Sequence, residues 1–189
     1  LLTALLHKQK RTISLTDAMS SIPNKHSMFK PLAALIAALT LSVPAVAKVD
    51  QGSVNLLQTL KDYGITVEYN PSHCSNGYAG RYTTEKVMTL CYRGQPTAND
   101  FDTVRHETMH VLQHCAALRR GDDRGIVPLA INPTERNQWI SSVLRDGHIN
   151  EIKRNYPARA HQVELEAFAG ANHYSATELA SLVKSWCFK

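Results

Sequence analysis

The chain has 189 residues, a formal net charge of +5 and four cysteines, a length that suits one domain. Most of the positive charge lies in the first 47 residues, where Lys8, Lys10, Arg11, Lys25 and Lys30 oppose Asp17 for a net +4, so the remainder carries only +1. No basic run remains there, which argues against a nucleic-acid partner.

Taken in chain order, residues 1–27 are polar and patternless and read as an upstream or extended n-region without structure. From Met28 the chain runs M-F-K-P-L-A-A-L-I-A-A-L-T-L-S-V-P-A-V-A. Lys30 supplies a positive start, residues 32–43 an apolar run, and Ala45-Val46-Ala47 a small-x-small cleavage site. The expectation is a signal peptide over 28–47. The run is shorter than the ~20 apolar residues of a spanning helix, so a secreted or periplasmic product with no membrane span is predicted. Residues 48–189 form the single predicted domain. All four cysteines, Cys74, Cys91, Cys115 and Cys187, lie in it, and an even count in an exported chain predicts two disulfides. Cys74–Cys91 with Cys115–Cys187 is the simplest of three pairings, because the first pair flanks a predicted hairpin.

Within that domain, residues 53–63 place Val54, Leu57 and Leu60 on one helical face, and Gly64 ends the helix. I-T-V-E-Y (65–69) alternates and is β-branched, which predicts a strand. Residues 78–83 and 86–92 read as a hairpin around Thr84-Glu85. A long helix is predicted over 99–118, with Thr97 or Asn99 as N-cap, followed by an exposed loop R-R-G-D-D-R-G. Further helices are predicted at 134–145, 150–155 and 157–171, and a last one opens at Ser175 with Glu178 completing a capping box. A small antiparallel or mixed sheet followed by helices is an α+β fold.

The long helix carries R-H-E-T-M-H-V-L-Q-H-C, residues 105–115. His106 and His110 stand one turn apart and project to the same side. Two imidazoles so placed can hold one Zn2+ per chain, and a third protein ligand with an open fourth position makes a catalytic site. Glu107 sits beside the pair as a general base for a metal-activated water. Phe101, Val104, Thr108, Val111, Leu112, Cys115 and Leu118 form an apolar stripe nearly opposite the two histidines, which sets them apart from core histidines. His114 drifts away from a metal held by the first two. A third ligand is sought on the helix V-E-L-E-A-F-A-G-A (163–171), which is apolar nearly all round; a carboxylate buried there needs a partner such as a metal ion. Glu164 and Glu166 are the candidates.

With H-E-T-M-H (106–110) and E-A-F-A (166–169) on a downstream helix, the sequence resembles the gluzincin, thermolysin-like branch of the zincin metallopeptidases. The resemblance covers roughly residues 65–171. It implies a zincin-like fold, a sheet within 78–92 whose edge strand helps bind substrate, and Glu166 as third zinc ligand. Val163 and Gly170 flank the Glu166 side and offer a close-approach surface to the motif helix; Glu164, 200° away, is expected either to pair with Arg159 or to sit at the edge of the site as a partner of a ligand histidine. The chain departs from the family in having Gly170 where an Asp is common, and in its small size. Tyr156 and His161 are candidates for stabilising the transition state, with His173 and Tyr174 as weaker ones, while Trp139 and Trp186 read as core.

The function predicted is secreted, zinc-dependent hydrolysis of peptide bonds in a peptide or protein substrate. The alternatives are an inactive, disulfide-stapled binding or inhibitory module on the same fold, and hydrolysis of a non-peptide amide.

Overall fold

The computed structural model describes residues 50–72, 74, 78–92 and 97–188. The predicted signal peptide and the segment before it lie outside the described residues. Six helices and three strands follow in the order α1 (Gln51–Asp62), β1 (Thr66–Tyr69), β2 (Gly80–Tyr82), β3 (Val87–Leu90), α2 (Ala98–Arg120), α3 (Pro133–Val143), α4 (Asp146–Asn155), α5 (His161–His173) and α6 (Ala176–Cys187), with a 3-10 turn at Ala158–Ala160 before α5. The fold is α+β, and no described helix is long and apolar enough to cross a membrane.

The sheet is mixed, in the order β1-β3-β2. β2 and β3 form the expected hairpin, with Arg81 opposite Thr89 and Tyr82 opposite Met88. β1 pairs with β3 in parallel, Thr66 opposite Val87. The hairpin thus leaves β2 at the free edge, laid against α2.

Helix α2 is the axis of the domain. Thr97 starts it, its backbone N–H and hydroxyl both donating to the Asp100 carboxylate. Gly121, at φ 64°, ends it and bonds back to Ala117 O and Leu118 O; a left-handed residue in this place is the usual glycine C-cap. Between these ends α2 is enclosed by β2, α1, α5 and α6, and every residue from His106 to Ala117 is buried. The two histidines are therefore not on a solvated face opposite an apolar stripe. The helix is covered on all sides, and Leu118, expected in the stripe, is exposed.

Two apolar clusters flank α5. The larger joins Leu56, Leu60, Met88, Leu90, Val104, Val111, Leu112, Leu179 and Val183. The smaller joins Ile140, Leu144, Ile152, Leu165 and Ala169. Because α5 contributes Ala167 to one and Leu165 to the other, its sequence is apolar on nearly every side. Its small residues allow close approach: a Cβ on Gly170 would stand 2.4 Å from Met109 Sδ of α2.

Cys74–Cys91 and Cys115–Cys187 are paired as expected, with Cα–Cα distances of 5.5 Å and 5.4 Å, and none of the four thiols is free. Two such bonds suit a chain that matures outside the reducing cytoplasm. The first ties the segment after β1 to the end of β3. The second ties α6 to α2 one turn beyond His110. Its loop spans 72 residues, which the chain-entropy account converts to about 4 kcal/mol of stabilisation. Replacing both Cys115 and Cys187 with Ser should lower the thermal midpoint more than replacing Cys74 and Cys91, measured by calorimetry without reductant; equal midpoints for both double variants and the parent would refute this ranking.

Candidate metal and hydrolytic site

Helical spacing turns His106 and His110 to the same side of α2, and their Nε2 atoms lie 3.1 Å apart. The side chain that α5 brings to them is Glu164. Its Oε2 is 3.4 Å from His106 Nε2 and its Oε1 is 3.6 Å from His110 Nε2. Phe168, one turn along α5 from Glu164, packs against the His106 ring at 4.3 Å between centroids and closes the apolar side. These three residues could hold a metal ion. For a tetrahedral cation such as zinc with bonds of about 2.0–2.1 Å, ligand atoms should stand about 3.3–3.4 Å apart. The three separations observed bracket that value.

Hydrogen-bond satisfaction points the same way. Buried polar atoms in folded proteins nearly always find a partner. Among the described residues four buried side-chain atoms have none, and three of them belong to this group: His106 Nδ1, Glu107 Oε2 and Glu164 Oε2. His110 is the better oriented ring. Its Nδ1 lies 2.8 Å from Gln113 Oε1, an acceptor, so Nδ1 carries the proton and the Nε2 lone pair faces His106 and Glu164. A ring held in this way by a second hydrogen bond is the usual condition of a metal-ligating histidine.

The expectation that Glu166 joins the histidines is corrected by the structure. Glu166 is 1% exposed and points to the far side of Gln113. Its carboxylate accepts from Gln113 Nε2 at 2.9 Å, Leu129 N at 2.6 Å and Ala130 N at 3.0 Å. With three donors bound it has no need of a cation. Val163 and Gly170 do mark the side of α5 that meets α2, as read from the sequence, but what occupies that side is the amide of Gln113. For Gln113 the available sequence signal was its spacing of three from His110 on the motif helix.

Burial is the largest influence on both glutamates and pushes each carboxyl upward. In Glu164 the neighbouring imidazoles of His106 and His110 prevail and hold the carboxyl well below its ordinary range. In Glu166 burial prevails over its donors, and the carboxyl is raised. Glu107 is also raised by burial, against the opposing pull of His106 and His110.

Glu107 is placed by β2. The backbone N–H of Tyr82 donates to its carboxylate. Gly80 lies so close that a Cβ there would stand 2.9 Å from Glu107 Oε1 and 2.5 Å from Thr103 Cγ2. The edge strand can approach α2 this closely only because residue 80 has no side chain. No local pattern in the sequence marks this use of Gly80.

The group opens on a cleft of about 1160 Å3, whose walls include Tyr78, Gly80, Tyr82, Val127, Ala130 and Tyr156. Tyr156 therefore stands where it was expected, at the site. His161 does not, because its Nε2 is spent on the backbone carbonyl of Tyr156 at 2.8 Å. His173 and Tyr174 stack on Trp139, away from the cleft walls. His114 bonds the Tyr82 hydroxyl through Nδ1 at 2.8 Å and takes no part in the group. Trp139 and Trp186 are half-buried against the smaller and larger clusters, in keeping with a core role.

No family model, curated protein or solved structure matches this chain.

Two substitutions separate the two glutamates. Glu164→Ala should leave protein that retains almost no zinc after dialysis, whereas Glu166→Ala should bind zinc with roughly 10–100-fold lower affinity. Competition with a chromogenic chelator reads both, and stronger loss in Glu166→Ala would assign the ligand to that residue instead. Gly80→Ala should keep zinc but displace Glu107, so that zinc content stays near the parent's while any zinc-dependent hydrolysis falls at least tenfold, a loss of about 1.4 kcal/mol in transition-state stabilisation; undiminished hydrolysis would show that the contact is idle.

Proposed function

We propose that this protein is an exported, zinc-dependent peptide-bond hydrolase of the gluzincin-like type. The observation that carries the proposal is the convergence of His106, His110 and Glu164 beside Glu107, on an open cleft. Export is supported by the two disulfides and by the composition of residues 28–47.

In this reading His106, His110 and Glu164 would hold one zinc ion. Bound there, zinc supplies a Lewis acid that polarises a carbonyl and makes water a stronger acid. Glu107 takes the proton from the attacking water onto its carboxylate and delivers it to the departing amine. Its position one residue along from His106 keeps it beside the metal ligands, and the Tyr82 N–H and the close face of Gly80 fix its orientation. Burial raises its proton affinity, against the opposing pull of His106 and His110, which suits a group that acts as a base. Gln113 keeps the His110 Nε2 lone pair on the site. Tyr156 is held as a neutral phenol: burial foremost, then the charges of Glu164 and Glu107, push it up to about 12. It can therefore donate its O–H to the carbonyl oxygen as negative charge develops.

The test compares Glu107→Gln with the parent. Both should carry about one zinc per chain by elemental analysis. The parent should cleave members of a mixed peptide library and stop on treatment with chelator, while Glu107→Gln should be slower by roughly 10²–10⁴-fold. Equal turnover by both proteins would remove Glu107 from the mechanism. One zinc per chain with no cleavage of any amide would make the protein a metal-stabilised binding module.

A further inference from the structure

Outside positions 1–47 the sequence is nearly neutral, with 16 basic and 15 acidic residues. The cleft is not. Five of the ten arginines in that part of the chain line it: Arg81, Arg120, Arg124, Arg136 and Arg159. They come from separate places in the fold, namely the edge strand β2, the end of α2, the loop after it, α3, and the 3-10 turn before α5. Among the described residues no lysine lines the cleft, and the acidic ones that do are Glu107, Glu164 and Asp122.

What these arginines bind matters more than their number. Arg124 is neutralised by Asp122 through hydrogen bonds from Nε and Nη2. Arg120 and Arg136 are engaged by neutral acceptors: Arg120 donates to Pro128 O at 2.8 Å and to Leu129 O, and Arg136 to Gln162 Oε1 at 2.9 Å and Ala130 O at 3.2 Å. Such bonds fix a guanidinium in place without cancelling its charge. Arg81 and Arg159 are exposed and have no carboxylate within ion-pair distance among the described residues. Five arginines against Glu107, Glu164 and Asp122 leave the described lining with a net positive charge, and a bound dication would add to it. Charge of one sign lining a concave, low-dielectric surface selects ligands of the other sign. Guanidinium groups are in addition shaped for carboxylates.

We infer that the cleft takes acidic peptides, with Asp or Glu side chains on the residues around the scissile bond held by Arg81 and Arg159 as specificity-determining residues. The inference rests on the hydrolase reading above, since it is that reading which makes the cleft a substrate site. The edge position of β2 supports a peptide occupant, because an extended chain beside an edge strand can place successive side chains along the wall that bears Arg81.

Binding and turnover are measured separately. Zinc-loaded Glu107→Gln is titrated, by fluorescence anisotropy, into three labelled octapeptides of equal length that are acidic, neutral and basic. At low salt the acidic peptide should bind roughly tenfold tighter than the neutral one and the basic one weakest, with the spread narrowing at high salt. Adding the charge reversals Arg81→Glu and Arg159→Glu should abolish the preference for the acidic peptide; both side chains are exposed, and unchanged circular dichroism and zinc content confirm the fold. Equal binding of the three peptides, a preference for the basic one, or no binding overturns the inference. Tighter binding of an oligodeoxynucleotide of equal charge also overturns it, in favour of a phosphodiester ligand. Cleavage of neutral and acidic peptides by the parent at one rate leaves the hydrolase reading standing and removes this one. Acidic-peptide binding that survives without turnover does the reverse.

Discussion

The bond between Gln113 and Glu166 is the contact on which the site depends. A carboxylate with 1% exposure would be destabilising by several kcal/mol if left unpaired. Three donors, from Gln113, Leu129 and Ala130, meet that requirement. They come from two parts of the site: Gln113 from α2, and the two backbone amides from the segment that forms a wall of the cleft. The same Gln113 amide accepts from His110 and donates a second bond to Val163 O at 3.0 Å. One side chain thus joins the orientation of a histidine ring, the docking of α5 and the position of the cleft wall. None of the three can shift alone without leaving a buried polar group unmatched.

The two glutamates of α5 show how hydrogen-bond satisfaction divides roles between residues of one type. They are two positions apart on a helix, hence about 200° apart around its axis. Glu166 faces amide donors that saturate it. Glu164 faces two imidazole nitrogens and keeps one buried oxygen without a hydrogen bond. A saturated carboxylate has nothing left to give a cation, whereas one that faces two imidazole nitrogens could join them in holding one. The difference between a structural acid and a candidate ligand lies in their partners and not in their burial.

Most of the scaffold was legible in the sequence because it is written in local terms. Helix limits came from caps such as Thr97 and Ser175, the hairpin from turn residues between alternating strands, and the disulfide pairing from cysteines flanking that hairpin. His106, Glu107 and His110 were legible because one helical turn fixes their relation. The choice between Glu164 and Glu166 was not, since it depends on the rotation of α5 against α2, which is set by the fit of Gly170 on Met109 and by an amide donor 53 positions away from Glu166. Burial of the motif helix on all sides was hidden for a similar reason: His, Glu and Gln look like a solvated face until the elements that cover them are known. The role of Gly80 and the gathering of arginines are products of tertiary contact alone, and no periodicity records them.

The parallel pairing of β1 with β3, the docking of β2 on α2 and the arrival of Glu164 from α5 impose an order on how this protein comes into being. Chains are made from the amino terminus, so His106, Glu107 and His110 emerge long before Glu164, and α6, whose Cys187 is bonded to Cys115, emerges later still. Until α5 has docked, the histidine pair has no carboxylate partner and Gln113 has no acid to hold it. A nascent chain therefore possesses the motif but not the assembled group, and the group becomes complete only after α5 has been made and has docked.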